Sequence, residues 1–190
     1  MIRIRINKFP IHNIKENASI LIIGPYGFNK SIICKDIMYY HQAIYNGYVL
    51  SDNKDFFNTF ISQFDIYDTY NPGLLDEIFK QQQLFKYRID NGEKNIDNTY
   101  FCIIDDQIIS KEMVNSYHIK HLLFNSKNYN ILNIVITSFP SLLYEHIYPD
   151  YIFLYGDNSL ITKRRLHEYY CNHIDFNTFN QIFTQITENN

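Results

Sequence analysis

The chain has no tryptophan, three cysteines and no excess of positive charge, and each shortage removes a class of explanation. Cys34, Cys102 and Cys171 are odd in number, lack CxxC spacing and lie in or beside apolar runs. They read as reduced, buried thiols of a cytosolic-type compartment, which excludes a disulfide framework and a zinc site. Lys+Arg 17 against Asp+Glu 20 gives a formal charge of -3, so no global basic field is present to drive non-specific nucleic-acid binding. Any DNA contact must be local. No apolar run reaches the roughly 18 to 20 residues of a membrane span. The start MIRIRINKFP lacks the apolar core of a signal peptide, so a chain with no membrane span and no export by that route is expected.

What is present is a globular composition. Of 190 residues, 46% are hydrophobic and 19% charged, and Tyr 17 with Phe 15 predict an aromatic interior. The length suits one domain over residues 1–190 and sets aside multi-domain readings. Ile and Asn supply roughly a quarter of the residues, as AT-rich coding would produce, so individual Asn and Ile carry little weight.

Four apolar runs read as strands: Ser19–Ile23, Tyr100–Ile104, Ile131–Thr137 and Tyr151–Tyr155. Tyr48–Leu50 and Ile66–Tyr67 are weaker candidates, flanking a short helix within DFFNTFISQF. Between them lie helical patterns. From Lys30 the positions Ile33, Ile37, Met38 and Ile44 keep helical spacing until Gly47. Asn71-Pro72 opens a helix carrying Leu75, Ile78, Phe79, Gln82 and Phe85. Ser110 caps a helix toward His121–Phe124, and helices over about Thr162–Tyr170 and, capped by Asp175, Phe176–Thr187 close the chain. This alternation predicts an α/β fold, a mostly parallel sheet with helices on both faces. Such sheets bind ligands at the carboxyl ends of their strands. GPYGFNKS, Asp105-Asp106, Thr137-Ser138 and Gly156-Asp157 therefore belong together.

The first of these matches the phosphate loop G-x-x-x-x-G-K-[ST] at all but one position. The binding segment runs Gly24, Pro25, Tyr26, Gly27, Phe28, Asn29, Lys30, Ser31, Ile32. Its amides would cradle a β-phosphate, Lys30 would reach the β- and γ-phosphates, and the Ser31 hydroxyl would ligate Mg²⁺. Asn29 stands where the loop has glycine. It either adopts a left-handed conformation at a cost of about 1 kcal/mol or crowds the phosphate site. Asp105 and Asp106, after FCII, form a Walker-B pattern in which the first acid holds the Mg²⁺ shell and the second orients or deprotonates water.

Other groupings point elsewhere. His118 and His121 lack a nearby third ligand and read as a solvated helical face. Lys163, Arg164 and Arg165 read either as a charged helix start or as a cation reaching a neighbouring subunit's γ-phosphate. Tyr39-Tyr40 and Tyr169-Tyr170 read as core and helix packing before a base-stacking platform.

The order GPYGFNKSIICKDIMYY, GYVLSD through DIYDTYNPGLLDEIFKQQQ, FCIIDD, IKHLLFNSKNYNILNIVIT, KRRLHEYY and DFNTFNQIFTQITEN resembles the genome-packaging ATPases of nucleocytoplasmic large DNA viruses. These are the poxvirus-type members of the FtsK-HerA superfamily, and the likeness runs from about Phe9 onward. It implies an additional-strand P-loop NTPase, a three-layer sandwich in which the strand ending at Thr137 separates the Asp105 strand from the P-loop strand. It also implies ATP and Mg²⁺ as cofactors and a homo-oligomeric ring threading double-stranded DNA into a capsid. Capsid or portal-vertex proteins would be its partners, and the host cytoplasm (viral factory) or the virion its location. By motif, Lys30 and Ser31 are the Walker-A pair, Asp105 and Asp106 the Walker-B acids, Ser31 and Asp105 the metal side, and Lys163, Arg164 and Arg165 the trans-acting candidates. Thr137 or Ser138 occupies the sensor position where the family has an amide. The family continues beyond TENN into another apolar strand. A catalytically decayed homologue with a structural or assembly role is the alternative, and a small-molecule kinase is a third reading.

Overall fold

The structure, a computed structural model, describes residues 7–138, 148–157 and 159–187. The N-terminal stretch read for a signal peptide lies outside them through residue 6, as do residues 188–190.

Strands β1 (Ser19–Ile23), β4 (Tyr100–Ile104) and β5 (Ile131–Thr137) form with the bounds expected of the apolar runs. Their unbroken hydrophobicity has a direct cause, since both sheet faces are covered. Leu21 and Ile23 point into one core layer and Ile20 and Ile22 into the other. β2 (Gly47–Leu50), β3 (Ile66–Tyr67) and β6 (Tyr151–Leu154) complete, among the described residues, a six-stranded sheet in the order β3-β2-β4-β5-β1-β6. Every neighbouring pair is parallel. β5 lies between β4 and β1, the insertion that the resemblance implies. Among the described residues the half-buried β6 ends the sheet on one side.

Helices α1 (Lys30–Tyr40) and α2 (Lys54–Phe57) serve the layer that holds Ile20 and Ile22. α3 (Pro72–Asp90), α4 (Lys111–Asn115), α5 (Tyr117–Asn125), α6 (Leu160–Tyr170) and α7 (Phe176–Thr187) serve the other. The Asn71 side chain accepts from the Gly73 amide with Pro72 at the first helical position, so α3 starts where its cap and proline predict.

Two helices depart from the apolar period. α1 stops at Tyr40, because the buried His41 ring lies 2.9 Å from the Ile37 carbonyl and 3.0 Å from the Ile14 carbonyl, occupying an acceptor of the last turn. Ile44 is still buried, but from a turn. The helix expected from Ser110 divides into α4 and α5 at Ser116, whose extended backbone lets its hydroxyl accept the Ile119 amide and start a second helix. Tyr39, Tyr40 and Tyr169 are exposed, correcting the expectation that they pack inside; they lie on solvent-facing sides of α1 and α6.

Gly47 shows how tightly β2 and β4 approach. A Cβ there would stand 1.9 Å from Cζ of the buried Phe101 ring. Gly47→Ala is expected to cost about 1–3 kcal/mol by overpacking and to lower the thermal midpoint by several degrees; an unchanged midpoint would contradict this packing.

Candidate phosphate site at the strand ends

Register sets the site. Ile23 pairs with Thr137, Val135 with Ile104, and Ile104 with Leu50. The residues that follow, Gly24, Ser138, Asp105 and Ser51, therefore emerge at one end of four adjacent strands.

The loop after β1 is held at both ends. The Gly24 amide donates to the Thr137 carbonyl at 3.3 Å. A side chain at Gly24 would meet Tyr155 at 2.7 Å, which explains glycine there. The Tyr155 hydroxyl donates to the Asn29 carbonyl at 3.2 Å, and its ring meets Phe28 edge-on at 5.9 Å. Gly27 carries the left-handed turn, at φ +87. Asn29 sits at φ -74, so the left-handed cost considered for it is not incurred. Tyr155→Phe removes only the hydroxyl bond and is expected to weaken ATP binding about 3- to 10-fold, one hydrogen bond's worth; titration calorimetry giving the parent affinity would contradict the bracing.

Beneath the loop the Lys30 ammonium donates to the Pro25 carbonyl at 3.1 Å and the Ser138 hydroxyl at 2.7 Å. It pairs with Asp106 at 3.2 Å, the two side chains being 6% and 10% exposed. Asp106 also accepts the Ser138 amide at 2.6 Å and the Ser138 hydroxyl. Ser138 thus bridges loop lysine and acid, while Thr137 is buried and contributes its carbonyl.

Asp105, 6% exposed, accepts the Ser51 hydroxyl at 2.7 Å and the Asp106 amide at 3.0 Å. Burial raises its carboxyl above the ordinary aspartate range, and these two donors pull it back.

A cavity of about 460 Å³ joins these parts, lined by Tyr26 to Ile32, Asn53, Phe56, Asp105 and Asp106. Cavities of about 440 and 630 Å³ beside Tyr39 are similar in size, so chemistry and not volume selects the site. Ser31, at the first turn of α1, lines the selected cavity with Asp105. Among the described residues no cluster of three or more His, Cys, Asp or Glu could hold a metal alone. A hydroxyl and a carboxylate fit Mg²⁺, which takes its remaining ligands from phosphate and water.

Comparison with known proteins supplies the fold's relatives. No protein-family model matches the chain. The genome-packaging NTPase B204 of Sulfolobus turreted icosahedral virus 2, solved with AMP, superposes with a TM-score of 0.57 at 14% identity, covering 84% of this chain and 85% of B204. The cytoplasmic domain of EssC superposes at 0.58 with 13% identity, covering 78% of this chain and 35% of that one. The fold is that of a P-loop NTPase. In sequence, the chain is 25% identical over 173 residues to the uncharacterized protein L437 of Acanthamoeba polyphaga mimivirus; the match takes in 86% of this chain and spans 61% of L437.

Within the P-loop fold the remaining candidates separate. Lys163 is buried between α6 and α7, donating to the Thr184 hydroxyl at 3.0 Å and lying 5.6 Å from the Phe183 ring centroid. Within this chain its ammonium is taken up in packing α6 against α7. Arg164 is exposed over the Phe176 ring at 5.5 Å, and Arg165 is exposed. His118 pairs with Asp76 at 3.1 Å, while His121 lies within 2.8 Å of the Tyr129 hydroxyl and packs against Phe79. His121 is thus a packed partner, while His118 remains in a partly exposed surface pair as a solvated helical face would have it. Asn53 and Phe56 line the cavity, Ser51 and Tyr155 hold residues that line it, and motif reading misses all four. The available signal for Ser51 was its place directly after GYVL, the position that Asp105 holds after FCII.

Proposed function

We propose that the chain is an ATP-hydrolysing motor subunit of the FtsK-HerA type that moves double-stranded DNA into a viral capsid. The observation that carries the nucleotide part is one cavity bringing the loop lysine, the helix-start hydroxyl and two acids from a strand two places away onto common ground. B204, a packaging NTPase, has been solved with AMPPCP and ATP-gammaS as well as AMP, and L437 is viral. The homo-oligomeric ring, the capsid or portal-vertex partners and residence in the viral factory of the host cytoplasm or in the virion belong to the same proposal. A net charge of -3 agrees with DNA contact confined to a few residues of such a ring.

The chemistry follows from the side chains. Loop amides and the start of α1 bind phosphate oxygens, and Lys30 supplies the cation. Ser31 and Asp105 would hold Mg²⁺, which when bound neutralises phosphate charge. Asp106 serves as the acceptor of a proton from attacking water. Asp106 is engaged by Lys30 at 3.2 Å, so a phosphate that draws Lys30 toward itself would leave this carboxylate available. Asn29 at negative φ does not incur the left-handed cost weighed for it, while the decayed-homologue reading stands as the alternative that nucleotide binding tests. Calorimetric titration with ATP and Mg²⁺ tests the site: saturable binding is expected, and a folded protein that takes up no nucleotide would contradict it.

A further inference from the structure

Ser51 has no assigned part in phosphate chemistry, yet it is wholly buried beside the acid placed on the metal side. Its backbone is fixed by donation to the Tyr67 carbonyl at 2.9 Å, and the Asp105 amide is fixed on the Leu50 carbonyl at 2.9 Å. The hydroxyl is oriented as well. The Asn53 amide donates to Ser51 Oγ at 3.0 Å, so the hydroxyl's own proton is directed along its 2.7 Å contact to Asp105 Oδ2. Asn53 also caps α2 by accepting the Phe56 amide, and both residues line the cavity.

We infer that Ser51 is a positioning residue for Asp105: it holds the carboxylate in the orientation that a divalent cation at the phosphates requires, and it ties that carboxylate to the Asn53–Phe56 wall of the cavity. This inference rests on the nucleotide reading above. The hydroxyl and the Asp106 amide occupy one lone pair on each carboxylate oxygen and leave the others for a metal-bound water. Groups that orient metal-side ligands in this way typically govern metal affinity by 10- to 100-fold.

The test is the Mg²⁺ concentration giving half-maximal ATP binding, set beside ATP binding in EDTA. Ser51→Ala is expected to raise that Mg²⁺ concentration about 10-fold while leaving ATP binding in EDTA unchanged. Ser51→Cys, nearly isosteric with a weak donor, is expected to shift it in the same direction and reads the hydroxyl even if the alanine variant folds poorly. Ser51→Thr keeps the hydroxyl and is expected to retain the parent dependence. A parent-like Mg²⁺ dependence in Ser51→Ala or Ser51→Cys, or the same shift in Ser51→Thr, would overturn the role of Ser51 and leave the nucleotide site standing. A parent protein that binds no ATP under either condition would overturn both.

Discussion

Lys30→Ala is expected to lower ATP affinity by at least about 100-fold, because hydrogen bonds to charged groups contribute about 1.5–3 kcal/mol each and Lys30 is placed to make more than one. The same change strands a carboxylate. Asp106 is only 10% exposed and loses its cation, retaining the Ser138 donors. Folding stability should therefore fall by about 1–3 kcal/mol. The combined variant Lys30→Ala with Asp106→Asn removes the stranded charge and is expected to recover the thermal midpoint without recovering ATP binding. Calorimetry and thermal unfolding on the three proteins separate these effects. Parent-like ATP affinity in Lys30→Ala would show that phosphates bind elsewhere.

Asp106→Asn should have the opposite signature. It keeps the shape of the site but removes the proton acceptor, so turnover is expected to fall about 10²- to 10⁴-fold, the range of general-base contributions. Binding should hold or tighten, since Lys30 is no longer drawn toward a carboxylate. Phosphate release measured under saturating ATP reads the first effect and calorimetry the second. Loss of binding together with turnover would make Asp106 a structural partner of Lys30 and not the base.

The central strands were readable because burial on both faces leaves an unbroken apolar run, and the acids were readable because they end such runs. The insertion of β5 between β1 and β4 came from the resemblance, as spacing along the chain carries no strand order. Ser51 was hidden by the shortness of β2, four residues, and β3, two. A brief run gives little periodicity, so the serine that follows β2 carries little signal. The burial of Lys163 depends on α7 folding back to bring Phe183 and Thr184 beside α6, a contact between distant segments. Likewise the ion pair of Lys30 with Asp106 joins residues brought together only by the sheet. Asn29 could be flagged from its type, but its backbone angle became visible only in the folded loop, where Gly27 takes the positive φ.

Steady-state phosphate release from ATP by the purified chain with Mg²⁺, with and without double-stranded DNA, beside Asp106→Asn, tests the motor function most directly. Mg²⁺-dependent turnover that DNA increases, and that Asp106→Asn lowers about 10²- to 10⁴-fold, is the expected result. A folded parent protein that binds ATP yet releases no phosphate under either condition, or an Asp106→Asn variant as fast as the parent, would contradict it.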